Sequence, residues 1–175
     1  MNATQTEWNL ARRQIVGNAA SIGFAVAMYG VSFGALGTTT GLSIPQTMAL
    51  SLLMFTGASQ FTLVSTLASG GTALTAVIAS SLMGTRNAAY SMRMTPILKT
   101  SGPGRLVAVQ LTIDESTAMG LAQDEEAFEG RASRLAFWAT GLSVYLLWNL
   151  ATFIGAVSVS AIGDPKSFGL DAAIA

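Results

Sequence analysis

The chain contains no cysteine and no histidine. Without cysteine there is no disulfide framework and no thiolate metal site. Without histidine the usual proton shuttle, the commonest metal ligand and the usual base of a hydrolase are missing. Charge is also scarce. Only 10% of residues are charged, and the signs cancel to a net charge of zero. A neutral chain has no electrostatic attraction for nucleic acid. The scarcity is uneven, because no charged residue stands between Arg13 and Arg86. A soluble domain carries charge on roughly a quarter of its residues. A stretch this long without any is solvated by something other than water.

Apolar residues and glycine fill that space. Hydrophobic residues make up 51% of the chain, and there are 18 glycines. A helix needs about 20 residues to cross the roughly 30 Å hydrocarbon core of a bilayer, so the uncharged run has room for two or three crossings. A second uncharged run spans Leu135 to Gly163. The composition predicts an all-α integral membrane protein lying in the lipid bilayer. Residues 1–14 read as a cytoplasmic N-terminal tail and residues 15–175 as a single transmembrane helical domain. Arg12-Arg13 before an apolar run is superficially like a cleaved signal. The run is too long for one, and more apolar segments follow.

Five apolar segments are expected, at about Ile15–Gly37, Pro45–Ala68, Thr72–Met92, Leu106–Ala122 and Leu135–Ile162. Turn chemistry separates them. Gly37-Thr-Thr-Thr-Gly41 interrupts the first. Ser43-Ile-Pro-Gln46 restarts a helix with a capping box and a first-turn proline. Ser69-Gly-Gly71 divides the second segment from the third. Ser101-Gly-Pro-Gly104, flanked by Lys99 and Arg105, is the clearest loop, and Asp124-Glu-Glu126 through Arg134 is a charged connection. The basic residues conflict over topology. Arg12 and Arg13 place the N-terminus in the cytoplasm, and the flanks of Lys99 and Arg105 ask for the same side. Three full crossings between them would put them on opposite sides. One of the first three segments is therefore expected to be broken or re-entrant, near Gly37 or near Gln60. There is also a weak internal repeat. Phe33-Gly-Ala-Leu36 echoes Ile154-Gly-Ala-Val157, with Gly41 and Gly163 following. Two related units are the pattern of many secondary transporters. The second would stop at Ala175 where its counterpart continues, so the sequence is expected to be C-terminally incomplete.

Gly30-Val-Ser-Phe-Gly34 matches a nucleophile-elbow string. It lies in an apolar segment with no histidine to activate Ser32, so it reads as small-residue packing. No enzyme activity, cofactor or metal site is expected. Three polar sets are candidates for function. Thr56, Ser59 and Gln60 share a helical face, and a Gln amide in hydrocarbon must find protein, water or a ligand. Interhelical hydrogen bonding and a substrate pathway are both open. Arg86, Tyr90 and Arg93 share a second face. Arg86 is the deeper arginine and suits a carboxylate, whether Asp114, Glu115 or an amino-acid substrate. Asp114 and Glu115 interrupt the fourth segment. Asp114 falls on a polar face with Gln110 and Thr117, and Glu115 falls with Leu111, Ala118 and Ala122. A carboxyl on that apolar face is a candidate proton carrier. A solvated amphipathic helix is the alternative.

Taken in series these tracts resemble the AzlC family. The pieces are Ser32-Phe-Gly-Ala35 leading to Gly41-Leu-Ser43, Phe55-Thr-Gly-Ala-Ser-Gln60-Phe61, Gly84-Thr-Arg-Asn87 with Tyr90, and Thr112-Ile-Asp-Glu-Ser116. They cover roughly residues 20–125, and the tail from Trp148 to Asp171 is similar. Members usually have Asn where Gly84 stands and His where Asn87 stands, so no role centred on that histidine carries over. The resemblance implies a subunit of a bacterial plasma-membrane exporter of branched-chain amino acids. It also implies drive by the proton gradient and pairing with a small multi-spanning AzlD-type subunit. With it, Ser59, Gln60, Arg86 and Tyr90 become expected substrate-binding residues, and Asp114 and Glu115 expected proton-coupling or ammonium-binding residues. A passive channel and a non-transporting assembly subunit fit the composition as well.

Overall fold

A computed structural model describes residues 3–123 and 127–162. Asp124-Glu-Glu126 and everything from Gly163 onward, including the glycine that follows the second echo of the repeat, lie outside the described residues. Among the described residues the chain is helical and has no strand. The elements are α1 (Ala3–Thr39), α2 (Ile44–Leu53), α3 (Ala58–Ala68), α4 (Ala73–Gly84), α5 (Arg86–Leu98), α6 (Pro103–Gln110), α7 (Asp114–Leu121) and α8 (Arg131–Ile162). The first and last are long and apolar enough to cross a membrane. A soluble core helix passes that test too, but is mostly buried. Here only 28% of the apolar stretch of α1 and 39% of that of α8 is buried. Both leave large side chains exposed, among them Phe24, Met28, Leu142, Leu146, Leu150 and Phe153.

The expected second and fourth segments are each broken. The second stops at Leu53 and restarts at Ala58, with Gly57 at φ 57° making the turn. The break therefore lies beside Gln60 and not at Gly37. Helix α1 runs through Gly37 to Thr39, where hydroxyls of Thr38, Thr39 and Thr40 bond back to carbonyls of residues 34–36. Ser43 and Gln46 form the anticipated capping box, at 2.8 and 3.4 Å. The fourth segment breaks at Leu111–Ile113, where Ile113 is extended (φ −127°, ψ 174°). Gln110 and Asp114 thus sit on different helices and share no face. The loop after α5 also ends sooner than expected. Lys99 closes α5 in the left-handed region, and Pro103 already occupies the first turn of α6. Helix α1 starts within the stretch read as a tail.

The chain divides into two compact units. Among the described residues, the first unit lies within 3–26 and 84–147 and the second within 27–83 and 148–162. In the first unit the opening halves of α1 and α8 run parallel. Trp8 packs on Phe128 and under the Arg131 guanidinium at 4.4 Å, Ile15 packs with Ala132 and Ala136, and Gly23 meets Ser143 and Leu147. Helices α5 and α7 are parallel to each other, because Arg86 meets Asp114 and Met94 meets Gly120. Helix α7 opposes α8: Gly120 faces Ser133 and Phe137, while Ser116 and Leu111 face Gly141. Between α5 and α7, α6 must run back. The pair α6–α7 is therefore a helical hairpin with its tip at Leu111–Ile113. Its two open ends lie where α5 finishes and α1 and α8 begin. That end of the unit collects Arg12, Arg13, Lys99, Arg105, Arg131 and Arg134.

In the second unit the closing halves of α1 and α8 are also parallel and very close. Gly30 faces the Trp148 carbonyl and Ala151, Gly34 faces Thr152 and Ala156, and Gly155 faces Val31 and Ala35. Gly34 and Gly155 are equivalent positions of the internal repeat, so the two echoing tracts pack against each other. A Cβ at either would overlap backbone of the opposite helix. Phe33, Phe61 and Trp148 form a ring cluster at 5.7–6.2 Å. We expect Gly34→Leu or Gly155→Leu to force α1 and α8 apart, at a cost of about 1–3 kcal/mol or more for overpacking. The check is the thermal unfolding midpoint in detergent, which should fall, while Gly17→Leu, with open space around it, should leave it unchanged.

Candidate functional site

The candidate site in the first unit is built at the hairpin tip. Ile113 being extended frees the first turn of α7, whose leading residues are Asp114 and Glu115. Acidic residues there meet the positive end of the helix dipole. Ser116 holds the turn closed. Its hydroxyl accepts from the Ile113 N–H at 3.1 Å and donates to the Leu111 carbonyl at 2.6 Å, entirely buried. On the facing helix, Thr85 joins α4 to α5 with a helical backbone and puts Arg86 opposite the tip.

The Arg86 guanidinium lies 2.7 Å from Asp114 Oδ2. Tyr90, one turn further along α5, adds a side-chain hydrogen bond to the same carboxylate. Asn87 donates to the Thr112 carbonyl at 3.1 Å, satisfying a backbone acceptor that the break would otherwise strand. Glu115 is half-buried beside the pair and senses both charges. Four of the six expected residues, Arg86, Tyr90, Asp114 and Glu115, are thus brought together, and Asp114 is the partner Arg86 takes. The side chains of the pair keep 37% and 43% of their surface exposed. Two opposite charges, a phenol and a second carboxyl on one accessible face can bind a small dipolar ion and pass a proton.

Ser59 and Gln60 belong to the second unit and are fully buried there. Gln60 Nε2 reaches back across the break to the Leu50 carbonyl at 3.0 Å. Its other end, Oε1, is buried with no hydrogen-bond partner. One half of the amide therefore ties α3 to α2, and the other half is an open acceptor. Ser51 and Thr152 hydrogen-bond at 3.1 Å in the same unit. Arg93 lies on α5 beyond Tyr90.

The structural roles of several residues that shape the site were not evident from the sequence. Asn87 and Ser116 fix the hairpin tip, and Gly120 and Gly141 give Met94 and Leu111 room. Ser116 can cap a turn that begins three residues earlier, which is a signal for its own role and not for the break. Ser116→Ala strands the buried Ile113 N–H, at a cost of about 1–3 kcal/mol. Its unfolding midpoint should fall clearly below that of Ser91→Ala on the partly exposed surface of α5.

A family model described as AzlC protein matches residues 21–162. No curated protein matches the chain. No solved structure matches it either.

Proposed function

The chain belongs to the AzlC family, and on that premise we propose that it is a transporter subunit exporting branched-chain amino acids across the bacterial plasma membrane. The family is associated with amino-acid transport and not with catalysis. The observation that carries the reading is the Arg86–Asp114 pair. Ionisable groups within apolar membrane segments face a cavity or a substrate path, because burying them in lipid is costly. The pair matches the two charged ends of an amino acid. Arg86 takes the substrate carboxylate and Asp114 the ammonium, with Tyr90 beside them. Within the second unit, Ser59 and the open acceptor of Gln60 form a separate polar candidate for substrate contact. Since Asp114 is engaged by Arg86, Glu115 is the proton carrier. A small AzlD-type subunit covers part of the exposed apolar surface.

Helix directions in the first unit support a topology that removes the conflict over the basic residues. Helix α1 carries the chain outward and α4–α5 carries it back. The α6–α7 hairpin then enters and leaves by the cytoplasmic side. Helix α8 crosses outward beside α1. Arg12, Arg13, Lys99, Arg105, Arg131 and Arg134 all become cytoplasmic, as positive residues flanking membrane helices should be. The chain lacks cysteine, so single introduced thiols report sidedness directly. Ser101→Cys should react with an impermeant maleimide only from the cytoplasmic face, and Ser69→Cys only from the outside. Reaction of both from one face would overturn this topology.

Export is tested in peptide-fed cells carrying the chain with its small subunit. Leucine and isoleucine should leave the cells, and collapse of the proton gradient should stop them. Arg86→Ala should abolish export at equal membrane abundance. Glu115→Gln should keep leucine binding while losing the dependence on proton gradient. Normal export by Arg86→Ala would reject the site, and export indifferent to the gradient would favour a passive channel.

A further inference from the structure

We propose that the Arg86–Asp114 pair is the latch of the α6–α7 hairpin, and that only a ligand carrying both a free ammonium and a free carboxylate releases it. The proposal rests on the transport reading and adds which part moves and which ligands move it.

The hairpin is held on α5 mainly through its tip. There the ion pair spans 2.7 Å, Tyr90 bonds the same carboxylate, and Asn87 donates to the Thr112 carbonyl at 3.1 Å. Further along, the contact becomes Met94 against Gly120, a flexible side chain on a residue with none. The tip is thus fastened by these polar bonds, and Met94 against Gly120 adds soft packing further along. These three polar bonds join the tip to Arg86, Asn87 and Tyr90 of α5. The pair keeps about two-fifths of its side-chain surface exposed, and breaking it without replacement leaves each charge without its partner. A zwitterion replaces each half with its own opposite charge, so the hairpin can leave α5 with neither charge stranded. A keto acid compensates Arg86 alone, and an amine or an amide ester compensates Asp114 alone. Either leaves one charge unpaired and leaves the latch as the better state. A ligand shifts a conformational equilibrium only by its differential affinity for the two states, and only the zwitterion has that difference here. Helix α7 and α8 remain in contact through Gly120 and Gly141, so release is a parting of the hairpin from α5.

Thr117 reports the release. It lies between Asp114 and Gly120 on the α5-facing side of α7, is 4% exposed, and its hydroxyl has no hydrogen-bond partner. Thr117→Cys therefore removes no bond and supplies the chain's sole thiol. The full chain with its small subunit, in lipid nanodiscs, is labelled with a water-soluble maleimide. Binding of radiolabelled leucine is measured on the same sample. Leucine should raise the labelling rate severalfold, while leucinamide and 4-methyl-2-oxopentanoate leave it unchanged. Thr117→Cys with Asp114→Asn should label at the raised rate with no ligand. Leucine binding without faster labelling, or equal acceleration by all three compounds, would overturn the latch. No leucine binding at all would overturn the latch and the function beneath it together.

Discussion

An ion pair at a break in an apolar helical segment dominates the first unit. Arg86 and Asp114 meet at 2.7 Å where the broken fourth segment exposes the first turn of α7. Neither charge is tolerable alone in an apolar setting, so each fixes the other. Everything near them follows from that need. Asn87 and Ser116 absorb the backbone groups that the break strands, and Tyr90 adds a second donor to the carboxylate. The hairpin exists because its tip has partners. A break of this kind facing lipid would leave carbonyls and amides without any.

The second constraint is close approach. Helices in lipid gain little from excluding water, so they associate by packing and hydrogen bonding. Gly30, Gly34 and Gly155 let α1 and α8 touch backbone to backbone, and Gly120 and Gly141 do the same for the hairpin. Glycine in a helix interior costs about 1 kcal/mol against alanine, and here that cost is offset by contacts no larger residue permits. The hydroxyls of Ser51 and Thr152 add a bond across the second unit. The result is two units distinguished by charge: the described residues of the second carry none.

Much of this was readable from residue order. The uncharged run announced the membrane, Ser43 and Gln46 announced their cap, and Arg86, Tyr90, Asp114 and Glu115 announced a charged cluster. Basic residues on both sides of three segments called for a re-entrant stretch, and a break does lie beside Gln60. The break at Leu111–Ile113 was not readable, because Leu, Thr and Ile continue an apolar helical pattern and nothing local marks Ile113 as extended. Its cause is tertiary: Thr112 bonds to Asn87, 25 residues away. Gly37 misled for a related reason. Glycine and threonine suggest a helix break, yet Gly37 is helical and is there to admit Thr47 from α2.

The coupling between Arg86 and Asp114 is best measured by a double-mutant cycle in thermal stability, using Arg86→Gln, Asp114→Asn and both together. If the two charges fix each other at the hairpin tip, the double variant should be no less stable than the worse single variant, with a coupling energy of about 0.5–3 kcal/mol. Single effects that add, within about 0.5 kcal/mol, would mean that the charges act independently and that the hairpin is held by something else.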